Sequence, residues 1–213
     1  MSSIRDVYLT AAESTLALIE HDRTAELWHE ASALEGMSIG SLAAHLARSV
    51  LQVKWFLDGK VTGEGYLVTA ASYYARLEGT ASRASALNQG VEQRSRETAA
   101  QGWEALVEVT RSTLTELRSR IPAEPTERRV AVAHCPGEEL LLDDYLRTRL
   151  VEIAVHIEDL SLSLGISFEA PSEAITAATE LLFAAARERN GDRAVLQAMS
   201  RRERDITDAL RVL

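Results

Sequence analysis

The chain carries one cysteine, Cys135, among 213 residues, so no internal disulfide can form. That usage fits a reducing compartment. Aromatic residues make up only 5% and there are 4 prolines, a shortage that weighs against strands and favours helices. No run reaches the roughly 18 uncharged apolar residues that span a bilayer. The start, Met1-Ser2-Ser3-Ile4-Arg5-Asp6, has an acid early and no long apolar run behind it, so it does not read as a signal peptide. Basic residues are also in short supply, 23 against 32 acidic ones for a net charge of -9, which argues against sequence-independent binding to phosphate backbones. Gly-rich phosphate loops, Cys-x-x-Cys pairs and Gly-x-Ser-x-Gly elbows are missing as well. These absences leave a soluble, cytoplasmic, helical protein with neither a nucleic-acid nor a membrane partner.

What is present is an apolar fraction of 46%, ample for a core at this length. Periodicity predicts a first helix from near Ser3 to Glu20. Ser38 reads as the N-cap of a second, running from Ile39 to about Leu57 and stopping before Asp58-Gly59. A softer helical pattern covers Leu67 to Leu87, with a break near Asn88-Gln89-Gly90. The stretch from Val91 to Arg120 reads as one strong helix that buries Trp103, Leu106, Val107, Val109, Leu114 and Leu117 and ends at Pro122 and Pro125. Arg128 to His134 reads as a short extended piece, and Asp143 or Asp144 as the cap of a long helix ending at Gly165. Another helix is expected from Glu173 to Arg189, and one or two short ones from Asp192 to Leu213.

The long helix holds the chemistry. In Arg149-Leu150-Val151-Glu152-Ile153-Ala154-Val155-His156-Ile157-Glu158-Asp159-Leu160, residues three, four and seven apart share a face. Arg149, Glu152, His156 and Asp159 thus form a polar stripe on an otherwise apolar helix, which is costly unless its groups are paired or hold a metal. Glu152 and His156, one turn apart, have the spacing of a bidentate clamp. The second helix supplies a partner stripe of Ser41, His45, Ser49 and Gln52. Two imidazoles and one carboxylate would leave a coordination position open, the pattern of catalytic zinc and equally of non-haem Fe(II). Ni(II) fits the same donors. Asp159 is placed to orient a ring or meet substrate, and Arg149 to pair with Glu152. The plainer alternative is a Glu–His hydrogen bond on a helix face. His21 and His29 read as loop residues, Tyr73 and Tyr74 as core, and His134-Cys135 as an inert pair.

The segments Ser38-Ile39-Gly40-Ser41-Leu42-Ala43-Ala44-His45-Leu46-Ala47 and Arg147 to Leu160 together resemble the mycothiol-dependent maleylpyruvate isomerase N-terminal domain, of the DinB-like superfamily. The likeness covers roughly Leu9 to Gly165. It implies an all-α, DinB-like four-helix bundle whose metal, usually zinc, is held by His45, Glu152 and His156; beside them the polar stripe itself offers Asp159 and Arg149 as the candidate catalytic residues. It implies mycothiol as a thiol cosubstrate, activated for isomerisation of, or S-transfer to, a small electrophile, and it makes a homodimer one expected state. In the isomerase a second, sterol-carrier-like domain contributes a substrate-binding arginine. Here the segment 166–213 reads as a helical extension packed on the 1–165 bundle, with Arg201 or Arg204 as the stand-in. Two other readings stand beside this one: a non-catalytic metal- or ligand-binding bundle, and a metal-dependent hydrolase using Asp159 or Glu158 as base.

Overall fold

The computed structural model describes residues 2–77, 85–131, 137–200 and 209–212, without the Leu87 side chain. His134, Cys135, Arg201 and Arg204 lie outside the described residues. The class is all-α, as expected.

Helix α1 (Ile4–Glu20) opens with a reciprocal capping box: Ser3 Oγ accepts from the Asp6 amide, and the Asp6 carboxylate accepts from the Ser3 amide. Helix α2 (Asp22–Glu26) is a single turn capped by His21 Nδ1, which accepts from the Arg23 amide. Helix α3 (Ile39–Asp58) starts where the sequence indicates, with Ser38 Oγ accepting from the Ser41 amide at 3.1 Å. Strand β1 (Tyr66–Leu67) and helix α4 (Ala70–Ala75) follow, then α5 (Ala86–Ala99) and α6 (Trp103–Ala123). Strands β2 (Arg129–Ala131) and β3 (Glu138–Leu141) lead into α7 (Leu142–Leu164), and α8 (Ser172–Asn190) and α9 (Asp192–Ser200) close the described chain.

Helices α1 and α3 each pack against both α6 and α7, which makes a four-helix bundle; α8 lies along α7 and also covers α4. The core is continuous. Leu42, Leu46, Val50 and Val53 from α3 and Leu146, Leu150, Ile153 and Ile157 from α7 are all fully buried within it. Two cross-contacts set the direction of the central pair: His45 meets His156, and Gln52, two turns further along α3, meets Arg149. Helices α3 and α7 are therefore antiparallel.

Several local expectations need correction. The helix expected over Val91–Arg120 is two helices, parted at Gly102, whose φ of +92° suits glycine and not a side-chain-bearing residue. Trp103, first in α6, fixes the second piece by donating from its indole to the Ile19 carbonyl at 2.8 Å. Asn88, Gln89 and Gly90, read as a break, lie inside α5. Within the span Leu67–Leu87 the described residues hold α4 and the start of α5, residues 78–84 lying outside the description, and Val109 is exposed. Neither Asp143 nor Asp144 caps α7. Leu141 holds the cap position without a side-chain bond, while Asp143 pairs with Arg5 at 2.7 Å and Asp144 accepts from the Ala70 amide at 3.2 Å. The predicted extended piece is β2, in a three-stranded sheet of order β1-β3-β2, parallel on one side and antiparallel on the other.

Gly40, in the first turn of α3, lies against Trp28 and donates to its carbonyl at 2.8 Å. A Cβ there would fall 2.6 Å from the indole and 2.8 Å from that carbonyl oxygen. Gly40→Ala should cost on the order of 1–3 kcal/mol, read as a lowered denaturation midpoint, because the helix start must shift to relieve the overlap.

Candidate metal centre

Three side chains converge where α3 crosses α7. His45 comes from α3, and Glu152 and His156, one turn apart, come from α7. The two Nε2 atoms are 3.0 Å apart, and Glu152 Oε2 is 3.7 Å from each. The rings meet edge to face, their centroids 4.4 Å apart. Ligand atoms arranged tetrahedrally at Zn–N and Zn–O distances of about 2.0–2.2 Å lie about 3.3–3.5 Å from one another. The observed spacings bracket that range, so the donor set fits a first-row divalent ion. A hydrogen bond does not explain Oε2, because 3.7 Å is too long for one.

The surrounding groups hold these donors in place. His156 Nδ1 lies 2.9 Å from Asp159 Oδ2, the carboxylate–imidazole pairing that fixes ring orientation and leaves Nε2 facing the cluster. The Tyr74 hydroxyl, from α4, lies 3.1 Å from Glu152 Oε1 and 3.1 Å from the Thr148 carbonyl, so it occupies one carboxylate oxygen and leaves the other turned toward the imidazoles. His45 Nδ1 is buried and has no hydrogen-bond partner among the described residues. The three side chains are 15, 24 and 17% exposed, in the order His45, Glu152, His156, so the cluster is partly open to solvent among the described residues.

Electrostatics set the protonation states. Burial, and then the neighbouring His156, hold His45 down at about 3, so its ring is neutral and able to ligate. Burial works in the same direction on His156 but is outweighed by its contacts with Asp159 and Glu152, which raise it to about 9. Without metal His156 therefore carries a proton at neutral pH, and a metal ion must displace it. Burial disfavours the Glu152 carboxylate, yet the nearby His156, Arg149 and His45 hold it well below the usual range.

Arg149 is buried beneath the cluster. Its Nη1 donates to Gln52 Oε1 at 3.2 Å, its Nε to Thr148 Oγ1 at 3.2 Å, and its guanidinium stacks on the Tyr145 ring at 5.2 Å. It thus approaches Glu152 as a charge and not as a direct ion pair. Asp159 turns toward His156, and Glu158 is exposed. Tyr74 bonds the central carboxylate as well as packing in the core, a role for which the sequence offers no signal beyond its polar tip. His29 is exposed.

Residues 9–161 match the family described as the mycothiol maleylpyruvate isomerase N-terminal domain. Neither the curated proteins nor the solved structures yield a match.

Asp159→Asn removes the charged partner that holds the His156 ring. Zinc affinity should fall about 10- to 100-fold with the fold intact, measured by competition with a chromogenic chelator. Tyr74→Phe should weaken zinc binding less, since Glu152 keeps its charge and loses a single hydrogen bond.

Proposed function

Because the chain belongs to the mycothiol maleylpyruvate isomerase N-terminal domain family, we propose that it is a metal-dependent enzyme, with zinc as the metal, that activates a low-molecular-weight thiol such as mycothiol for addition or transfer to a small electrophile. The observation that carries this reading is the convergence of His45, Glu152 and His156 from two helices, partly exposed, with Glu152 Oε2 3.7 Å from both imidazole Nε2 atoms and so beyond hydrogen-bond reach. His45, Glu152 and His156 would hold a divalent ion, which would supply Lewis acidity and lower the pKa of a thiol brought to it.

The chain's own residues do the rest. Burial keeps His45 neutral, so its nitrogen lone pair is available without a proton having to leave first. Asp159 fixes the His156 ring and stabilises the positive charge on that side of the cluster. Tyr74 keeps one Glu152 oxygen occupied, which stops the carboxylate from rotating away from the imidazoles. Apolar neighbours such as Leu42, Leu46, Ile153 and Ile157 keep water from the inner side and strengthen the local fields. Among the described residues no helix is long and apolar enough to cross a membrane, so substrates are expected to come from the aqueous phase.

A hydrolase would need a free general base beside the cluster. Asp159 is engaged by His156, and Glu158 points into solvent, so neither is positioned for that work. Incubating the zinc-loaded protein with a panel of electrophiles, with and without mycothiol, cysteine or glutathione, tests the proposal. Thiol-dependent consumption of an electrophile, lost on chelation and in His45→Ala, is the expected result. Turnover that persists with no thiol added, or no thiol-dependent turnover at all, would overturn it.

A further inference from the structure

The hydroxyl that meets Glu152 stands on a short helix held mostly from outside the four-helix bundle. Tyr74 belongs to α4, which spans only Ala70–Ala75. A helix of that length does not persist by itself, so its place is set by what it packs on. It packs mainly on α8 and only lightly on α7. Its start is fastened by Thr69 Oγ1, which accepts from the Ser72 amide, and by Asp144 of α7, which accepts from the Ala70 amide.

The end that carries Tyr74 is fastened by Arg189, near the end of α8. Arg189 Nη2 donates to the Tyr74 carbonyl at 2.6 Å and to the Leu77 carbonyl at 3.0 Å, and Nε donates to the Ala75 carbonyl at 2.9 Å. Carbonyls at the end of a helix run out of intrahelical amides, and a cation beside them bonds them and suits that end of the helix dipole. Arg189 Nη1 donates at 3.1 Å to the Val212 carbonyl, and Asn190 donates at 3.0 Å to the Ala209 carbonyl, so residues 209–212 are tied to the same point. Helix α8 lies beyond residues 9–161, the part of the chain that matches the family.

Tyr74 is thus gripped at its carbonyl from α8 while its hydroxyl lies 3.1 Å from Glu152 Oε1. A displacement of about half an ångström would stretch that contact beyond a hydrogen bond. We propose that Arg189 is a positioning residue for the metal centre: by fixing the end of α4 it sets the Tyr74 hydroxyl against Glu152, so that a segment outside the family-matched region tunes how tightly the three ligands hold their ion. The inference rests on the metal reading given above. Lysine cannot take the place of Arg189, because a single ammonium does not span carbonyls of two segments as the planar fork does.

The test is a double-substitution cycle on zinc affinity, measured by chelator competition, with the denaturation midpoint of each protein read alongside. Arg189→Gln should weaken zinc binding about two- to tenfold, the range for one hydrogen bond, as Tyr74→Phe does. The double variant should bind zinc no more weakly than Tyr74→Phe alone, because the arginine acts through that hydroxyl. Arg187→Gln, two residues earlier on α8 and paired with Asp192, should leave zinc affinity unchanged. In the metal-free protein, amide hydrogen exchange across α4 should quicken in Arg189→Gln. Arg189→Lys carries the same cycle, with the same expected loss, if the glutamine variant does not fold. Unchanged zinc affinity in a folded Arg189 variant, or a loss that adds in full to that of Tyr74→Phe, would overturn the inference and leave Arg189 a purely structural clamp. Failure of the unmodified protein to bind zinc would overturn the metal reading and this inference with it, and that failure is told apart because it shows before any substitution is made.

Discussion

The structure turns on the Glu152 carboxylate, an anion set between two helices whose contact is otherwise largely apolar. Left alone there, it would be strongly disfavoured by burial. Four groups offset that cost from different directions: Tyr74 on one oxygen, the His45 and His156 imidazoles facing the other, and the Arg149 charge from below. His156 and Arg149 share α7 with Glu152, but His45 comes from α3 and Tyr74 from α4, so the bundle must close around this point for those two to act. Removing one partner is far worse than never having had the set, since it leaves a buried charge uncompensated.

The rest of the fold can be understood as support for that point. The antiparallel run of α3 against α7 brings His45 level with the Glu152–His156 turn and Gln52 level with Arg149. Short α4 would not hold its position as an isolated helix. Asp144 binds the Ala70 amide at its start, and Arg189 from α8 donates to the Tyr74, Ala75 and Leu77 carbonyls at its end. Arg189 also reaches the Val212 carbonyl, so one guanidinium joins α4, α8 and the end of the described chain. The C-terminal helices thereby help hold the tyrosine that orients the central carboxylate, although they contribute none of the three ligand atoms.

Long elements with regular periodicity were legible from sequence. The apolar spacing of α1, α3 and α7 and the Ser38 cap point to the helices that form, and the shared face of Glu152, His156 and Asp159 needs only the helical repeat. That His45 would oppose them follows from two polar stripes each seeking a partner inside an apolar bundle. The break at Gly102 was not legible, because the helical pattern continues across it and the restart depends on the distant Trp103–Ile19 bond. Strands β1 and β3 escaped notice because their pairing is long-range, joining Tyr66–Leu67 to Glu138–Glu139. Tyr74 reads equally well as a core residue, and only the fold shows that its hydroxyl meets Glu152 and the Thr148 carbonyl.

The central claim is that His45, Glu152 and His156 bind one divalent metal ion, and it is tested most directly by elemental mass spectrometry on protein purified without a histidine tag, beside the His45→Ala variant. Close to one zinc per chain, lost in the folded variant, is the result this account predicts. Protein that holds no metal even after reconstitution, or a variant that keeps its full complement, would contradict it and reduce the cluster to a buried Glu–His contact.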